Sequence, residues 1–136
     1  MSFLTSLTVA GKDYKVLNVS YDLAQETDAS GRPSTVTRGG RIMIEVESTG
    51  STELFEWMTN NFERKDGSVK FIKRDSNATL KELKFTEAYM VKYKENFDHN
   101  SENPLTETFM ISARKISMGG GEFDNAWVLE HHHHHH

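Results

Sequence analysis

The stretch Glu82-Leu83-Lys84-Phe85-Thr86-Glu87-Ala88-Tyr89-Met90-Val91-Lys92-Tyr93-Lys94-Glu95-Asn96-Phe97 decides the fold. Its odd positions give Leu83, Phe85, Glu87, Tyr89, Val91, Tyr93, Glu95 and Phe97; its even positions give Glu82, Lys84, Thr86, Ala88, Met90, Lys92, Lys94 and Asn96. Side chains along a strand alternate between two faces. This spacing therefore predicts one long strand with an apolar, aromatic face and a largely polar one. The same rhythm recurs on both sides of it. Ile42, Ile44 and Val46 alternate with Met43, Glu45 and Glu47, and Phe109, Ile111 and Ala113 alternate with Met110, Ser112 and Arg114. Strands with one polar face belong to antiparallel sheets that cover a core on one side.

Upstream, Phe3, Leu7 and Val9 lead into the turn residues Gly11-Lys12-Asp13. Leu17, Val19, Tyr21 and Leu23 then alternate with Val16, Asn18, Ser20 and Asp22, which predicts an opening hairpin. Val69, Phe71 and Ile72 supply another strand, and Asp75-Ser76-Asn77-Ala78 turns the chain into the long one. One segment departs from this rhythm. Leu54, Phe55, Met58 and Phe62 fall on one helical face, predicting a helix over about 52–63. Ser51 and Thr52 offer capping hydroxyls, Glu53 and Glu56 sit near the positive end of its dipole, and Arg64 and Lys65 near the negative end. Many strands with a single helix indicate a mainly β protein, a small antiparallel β-barrel or sandwich with one flanking α-helix. Two stretches read as irregular: 27–41, long for a hairpin connection and so a functional candidate, and 118–125 with its three glycines. The long strand exceeds the needs of so small a domain, which suggests that part of it meets another subunit.

Composition removes whole classes of chemistry. Of the 136 residues, Leu129-Glu130 and the six histidines that follow read as an expression tag, which leaves 1–128 as a single domain. There is no cysteine, which excludes disulfides, thiolate metal sites and cysteine nucleophiles. His99 is the one histidine outside the tag, so a histidine-rich metal site is excluded as well. The net charge of −4 suggests no polyanion-binding surface, but its distribution is uneven. Residues 1–62 carry five basic and eight acidic side chains, 63–84 seven and four, and 85–128 four and seven. Oppositely charged patches on one subunit suit head-to-tail packing around a ring or along a stack. No apolar run reaches the roughly 18–20 residues of a membrane span, and the N-terminal residues lack the basic start of a signal peptide. The expectation is cytoplasmic synthesis without the general secretory signal, and no membrane insertion.

Each candidate for chemistry has a plainer reading. His99 beside Asp98 could be an oriented base, yet no nucleophile motif accompanies it, and an exposed turn histidine is the reading preferred. The glycine pairs and triplet lack the Gly-Lys-Ser/Thr of a phosphate loop. Glu45 and Glu47 share one face of one strand, where a solvated face is expected rather than a catalytic pair. Arg64, Lys65, Lys70, Lys73, Arg74, Lys81 and Lys84, interleaved with Phe71 and Phe85, have the ingredients of a single-strand nucleic-acid platform. Both phenylalanines, however, fall on the apolar side of their strands. The chain is read as a non-enzyme without cofactor or metal. A monomeric β-barrel binding module for single-stranded nucleic acid or a small ligand is the alternative to a self-assembling subunit.

Taken in order, several strings form a recognisable set: Gly11-Lys12 with Tyr14, Val16 and Leu17; Ser20-Tyr21-Asp22-Leu23; Asp28 with Gly31-Arg32-Pro33-Ser34; and Arg38-Gly39-Gly40. Ile44-Glu45-Val46-Glu47-Ser48, Glu56-Trp57-Met58, Lys73-Arg74-Asp75, Leu80-Lys81-Glu82-Leu83-Lys84-Phe85, Ala88-Tyr89, Tyr93 with Glu95 and Phe97, and Ile111-Ser112-Ala113 continue it. Over residues 3–117 this set resembles the Bacteroidetes-type Hcp family, the type VI secretion tube proteins also called TssD; the tail from Met118 carries none of it. The resemblance implies a small β-barrel with one flanking helix in a homohexameric ring, and stacked rings forming the hollow inner tube of a contractile injection machine. It also implies spike, baseplate and sheath components as partners, effector proteins in the lumen, assembly in the cytoplasm, and release to the outside through the apparatus. It implies no catalytic residue, no cofactor, no metal and no nucleic acid. In such proteins the extended loop after the second strand reaches the neighbouring ring. That places Asp28, Arg32, Pro33, Arg38 and Arg41 as candidate ring-stacking residues.

Overall fold

A computed structural model describes residues 3–24, 27–32 and 40–124. The elements run β1 (Phe3–Val9), β2 (Lys12–Tyr21), β3 (Arg41–Glu47), α1 (Glu53–Thr59), β4 (Lys65–Lys73), β5 (Thr79–Phe97), β6 (Leu105–Met118) and β7 (Gly121–Asp124). Every strand pairing is antiparallel, in the order β3-β2-β1-β4-β5-β6, and β3 returns to pair with β6. Six strands thus close a barrel, which leaves no full-length edge open between them. Along its far edge β6 pairs first with β3, over 106–112, and then with β7, over 115–118. β7 was read from sequence as irregular chain; Phe123 anchors it with 8% exposure.

The β1–β2 connection is two residues, Ala10 and Gly11, with φ of 52° and 80°. Both lie in the left-handed region that two-residue hairpin turns require. Inside the barrel, Leu7, Val9, Tyr14, Val16, Ile42, Ile44, Val46 and Val69 are buried with Leu83, Phe85, Phe109 and Ile111. Gly67 makes room for Phe85: a Cβ there would stand 2.5 Å from Phe85 Cζ and 2.5 Å from the Thr8 carbonyl oxygen.

The alternation that located β5 does not hold one phase along it. Leu83 and Phe85 point inward as expected, but the buried residues then become Ala88 and Met90. Glu87, between them, has φ of 50°, and the pairing with β4 slips between Lys65 and Gly67 at the same level. β6 makes the matching change: its buried residues pass from Ala113 to Ile116, opposite Ala88 and Phe85. An irregularity at Met90/Lys92 restores the odd phase at Tyr93 and leaves Val91 exposed. β2 behaves similarly. Tyr14 and Val16 are inward, and a shift between Val16 and Asn18 brings Val19 against the core.

The helix is shorter than expected and turned differently. It spans seven residues, and Leu54 and Trp57 are its buried pair, whereas Phe55 is exposed and Phe62, beyond its end, is 84% exposed. Trp57 Nε1 donates to the Glu63 carbonyl at 3.0 Å, which folds the chain back after the helix. Ser51 Oγ accepts from Glu53 N–H at 3.2 Å and begins the helix, and no basic residue lies in its last turn.

Candidate functional site

The connection from β2 to β3 holds the candidate stacking residues. Among its described residues, 27–32 form a tight turn built by Asp28. Asp28 Oδ1 accepts from Ser30 N–H at 2.9 Å, Ser30 Oγ–H at 2.6 Å and Arg32 N–H at 3.2 Å. Its backbone closes the same turn, with N–H donating to the Arg32 carbonyl at 2.8 Å and C=O accepting from Gly31 at 3.0 Å. Gly31, at φ of 87°, supplies the left-handed residue this path needs. The Ser30 hydroxyl and then the backbone N–H groups hold the Asp28 carboxyl below its ordinary value. One oxygen of Asp28 is thus committed to shaping the loop that carries Arg32.

Arg41 stands elsewhere, at the start of β3 opposite Ser112. With Ser20, Tyr21, Asp22, Met43 and Met110 it lines an open groove of about 420 Å³ on the barrel wall. No described contact joins it to Asp28 or Arg32. Pro33 and Arg38 lie outside the described residues.

Two polar centres were not singled out from sequence. Glu87 ties β5 to β4, to β6 and to the chain just before β4: its N–H donates to Asp66 Oδ1 at 2.7 Å, Oε1 accepts from Arg64 at 2.9 Å, and Oε2 accepts from Arg114 at 2.7 Å. Arg114 also reaches Asp124 on β7 at 3.6 Å, and Arg64 lies 5.8 Å above the Tyr89 ring. These contacts sit where β5 changes phase and hold its left-handed residue in place. The second centre is Glu107, 1% exposed inside the barrel. Extending the Phe109-Ile111-Ala113 alternation by one step toward the N-terminus would have placed it there.

The other candidates do not assemble a reactive site. Asp98 Oδ1 accepts from Asn100 N–H at 3.0 Å in the β5–β6 turn, and His99 is exposed. Phe85 is buried, and Phe71 packs on the core with Lys81 5.9 Å from its ring centre, so the basic segment does not present two ring faces to bases. Among the described residues no cluster of three or more His, Cys, Asp or Glu could hold a metal ion, and no helix is long and apolar enough to cross a membrane.

The family model for "Hemolysin coregulated protein Hcp (TssD)" matches residues 1–128. The chain belongs to the Hcp (TssD) family. As an Hcp chain it is a structural tube subunit of a type VI secretion apparatus, of a family that assembles with itself and is secreted through that apparatus. The barrel is shared with solved structures at low identity. Hcp1 from Salmonella typhimurium is 15% identical with a TM-score of 0.73, over 90% of this chain and 92% of that one. An Hcp1 mutant from E. coli EAEC 042 is 16% identical with a TM-score of 0.67, over 92% and 97%. A chain of the anti-feeding prophage baseplate is 12% identical with a TM-score of 0.54, over 87% and 92%. No curated protein matches the chain in sequence.

Proposed function

We propose that this Hcp chain forms a homohexameric ring, that rings stack into the hollow inner tube of the apparatus, and that effector proteins travel in the lumen. The observation that carries this reading is the family match along 1–128, which takes in the closed barrel, the helix and the 22–40 connection together. A tube must be stiff, yet its subunits must stay soluble before assembly. Modest polar contacts between rings, multiplied along the stack, meet both needs. In this reading residues 1–128 act as one domain and 129–136 are tag, assembly takes place in the cytoplasm, and the tube leaves through the apparatus without inserting in a membrane. The role is structural, with no catalysis, cofactor, metal or nucleic acid.

The connection that opens with the Asp28 turn is the stacking element of this proposal, with Arg32, Pro33 and Arg38, and Arg41 where the connection enters β3, as contacts to the next ring. Negative-stain microscopy and native mass of the tag-free protein test the ring, with sixfold rings expected. Arg32→Glu together with Arg38→Glu is expected to leave hexamers intact and to block tubes. A monomer retained on a polyanion column in a salt-dependent way would overturn the proposal in favour of a binding module.

A further inference from the structure

Charges outside the ion pairs differ in sign between the two ends of β5. Residues 70–84 contain Lys70, Lys73, Arg74, Lys81 and Lys84 against Asp75 and Glu82. Among the described residues none of these five cations forms an ion pair; the seven pairs present use other cations. At the other end of β5, residues 95–104 contain Glu95, Asp98 and Glu102 and no Lys or Arg; Lys92 and Lys94, both exposed, precede them on the same strand. Lys84 and Glu95, the nearest members of the two groups along β5, are separated by roughly 36 Å of strand at about 3.3 Å per residue.

Both ends also expose apolar side chains. At the cationic end Phe3, Leu4 and Leu80 are 41%, 39% and 48% exposed, with Phe3 paired beside Lys73. A groove of about 430 Å³ opens there, lined by Leu80, Lys81, Glu82, Lys84 and Met118 among others. At the acidic end Phe97, the last residue of β5, is 67% exposed. The 22–40 connection begins at the cationic end too, since Tyr21 Oη–H points to Met118 Sδ at 3.8 Å. Two cationic ends would repel each other, and so would two acidic ends. A cationic end and an acidic end complement each other, so the matching contact is heterologous and repeats from copy to copy.

We propose that this end-to-end contact acts beside the 22–40 connection in stacking one ring on the next, with the Phe97 end of β5 in one copy seated in the Leu80 groove of a second copy. Glu95, Asp98 and Glu102 then face Lys73, Lys81 and Lys84 around a small apolar centre. The inference rests on the ring reading above and names the surfaces that join its rings. Because its rim charges are exposed, the contact weakens as salt rises.

The test uses the tag-free full chain, with sedimentation velocity and negative-stain microscopy at low and high salt. Lys73→Glu with Lys81→Glu, and separately Glu95→Lys with Glu102→Lys, are each expected to keep rings and to raise the concentration for half-stacking at least tenfold. Combining all four restores stacking, and Phe97→Ser impairs it with little salt dependence. Tubes that persist in both charge-reversed pairs would overturn the proposal. So would a loss of rings in either pair, or a combined variant with wild-type circular dichroism that still fails to stack. Wild-type protein that forms no ring at all overturns the ring reading itself and this inference with it.

Discussion

Tyr93 Oη–H donates a 2.6 Å hydrogen bond to Oε2 of Glu107, a carboxylate inside the barrel whose Oε1 is buried and has no partner among the described groups. The Phe55 ring of α1 meets Tyr93 edge-on with centroids 6.0 Å apart, so the helix rests on the residue that satisfies this carboxylate. Removing the donor leaves a buried charge with neither oxygen bonded, and Tyr93→Phe should destabilise the fold by about 1–3 kcal/mol. Replacing both partners removes the buried charge, so Tyr93→Phe with Glu107→Leu should recover most of that loss. Urea unfolding of the single and double variants, followed by far-UV circular dichroism, measures the difference.

One buried phenol, Tyr14, and one half-buried phenol, Tyr93, set an alkaline limit. Burial, then the hydrogen bond to Glu107 and its charge, raise Tyr93 well above the ordinary tyrosine value, and burial followed by the Glu53 charge raises Tyr14. The folded state therefore holds these protons more tightly than the unfolded state. Their contribution is fully present below about pH 10 and is lost as pH rises past it, where the unfolded chain ionises first. Unfolding midpoints between pH 8 and 11.5 should fall above about pH 10, and Tyr93→Phe should flatten that fall.

Gly67 tests the packing between β4 and β5. In Gly67→Ala the new methyl meets both the Phe85 ring and the Thr8 carbonyl, and the backbone contact cannot swing aside. A loss of about 1–3 kcal/mol is expected. Adding Phe85→Leu should return only the part due to the ring. Thermal and urea midpoints of the two variants give the split.

The Asp28 turn should be a local device. Its carboxyl is held below the ordinary value, so its bonds persist through neutral pH and are lost only as pH falls below the usual carboxylate range. Asp28→Ala should leave the thermal midpoint unchanged while altering the amide chemical shifts of Ser30, Gly31 and Arg32 and reducing stacking of intact rings. A changed midpoint would show that the turn supports the barrel instead.

The strands were legible because a barrel wall has one apolar side, and period-two alternation survives wherever the backbone is regular. It failed at Glu87, Tyr89 and Val91, where a left-handed residue and a slipped register reverse which side chains face in; no residue type announces such a reversal. The helix face was misread for a different reason. Seven residues give less than two turns of repeat, and Phe55 and Phe62 outweighed Trp57, which is the buried aromatic. Phe71 and Phe85 were correctly placed toward the core. The 27–41 interval was visible as a long glycine- and proline-bearing stretch, but the stacking role proposed for it depends on a second copy. One chain's alternation carries no trace of that.

The matched reversals in β5 and β6 also govern how such a chain can vary. Ala88 faces Ala113 and Phe85 faces Ile116, so each strand acts as an index for the other. Exchanging one side chain leaves that index intact, whereas losing a single residue on one strand throws every position beyond it out of step. Variation in length is thereby pushed to the tips of the hairpins, and the barrel preserves its count more strictly than its letters.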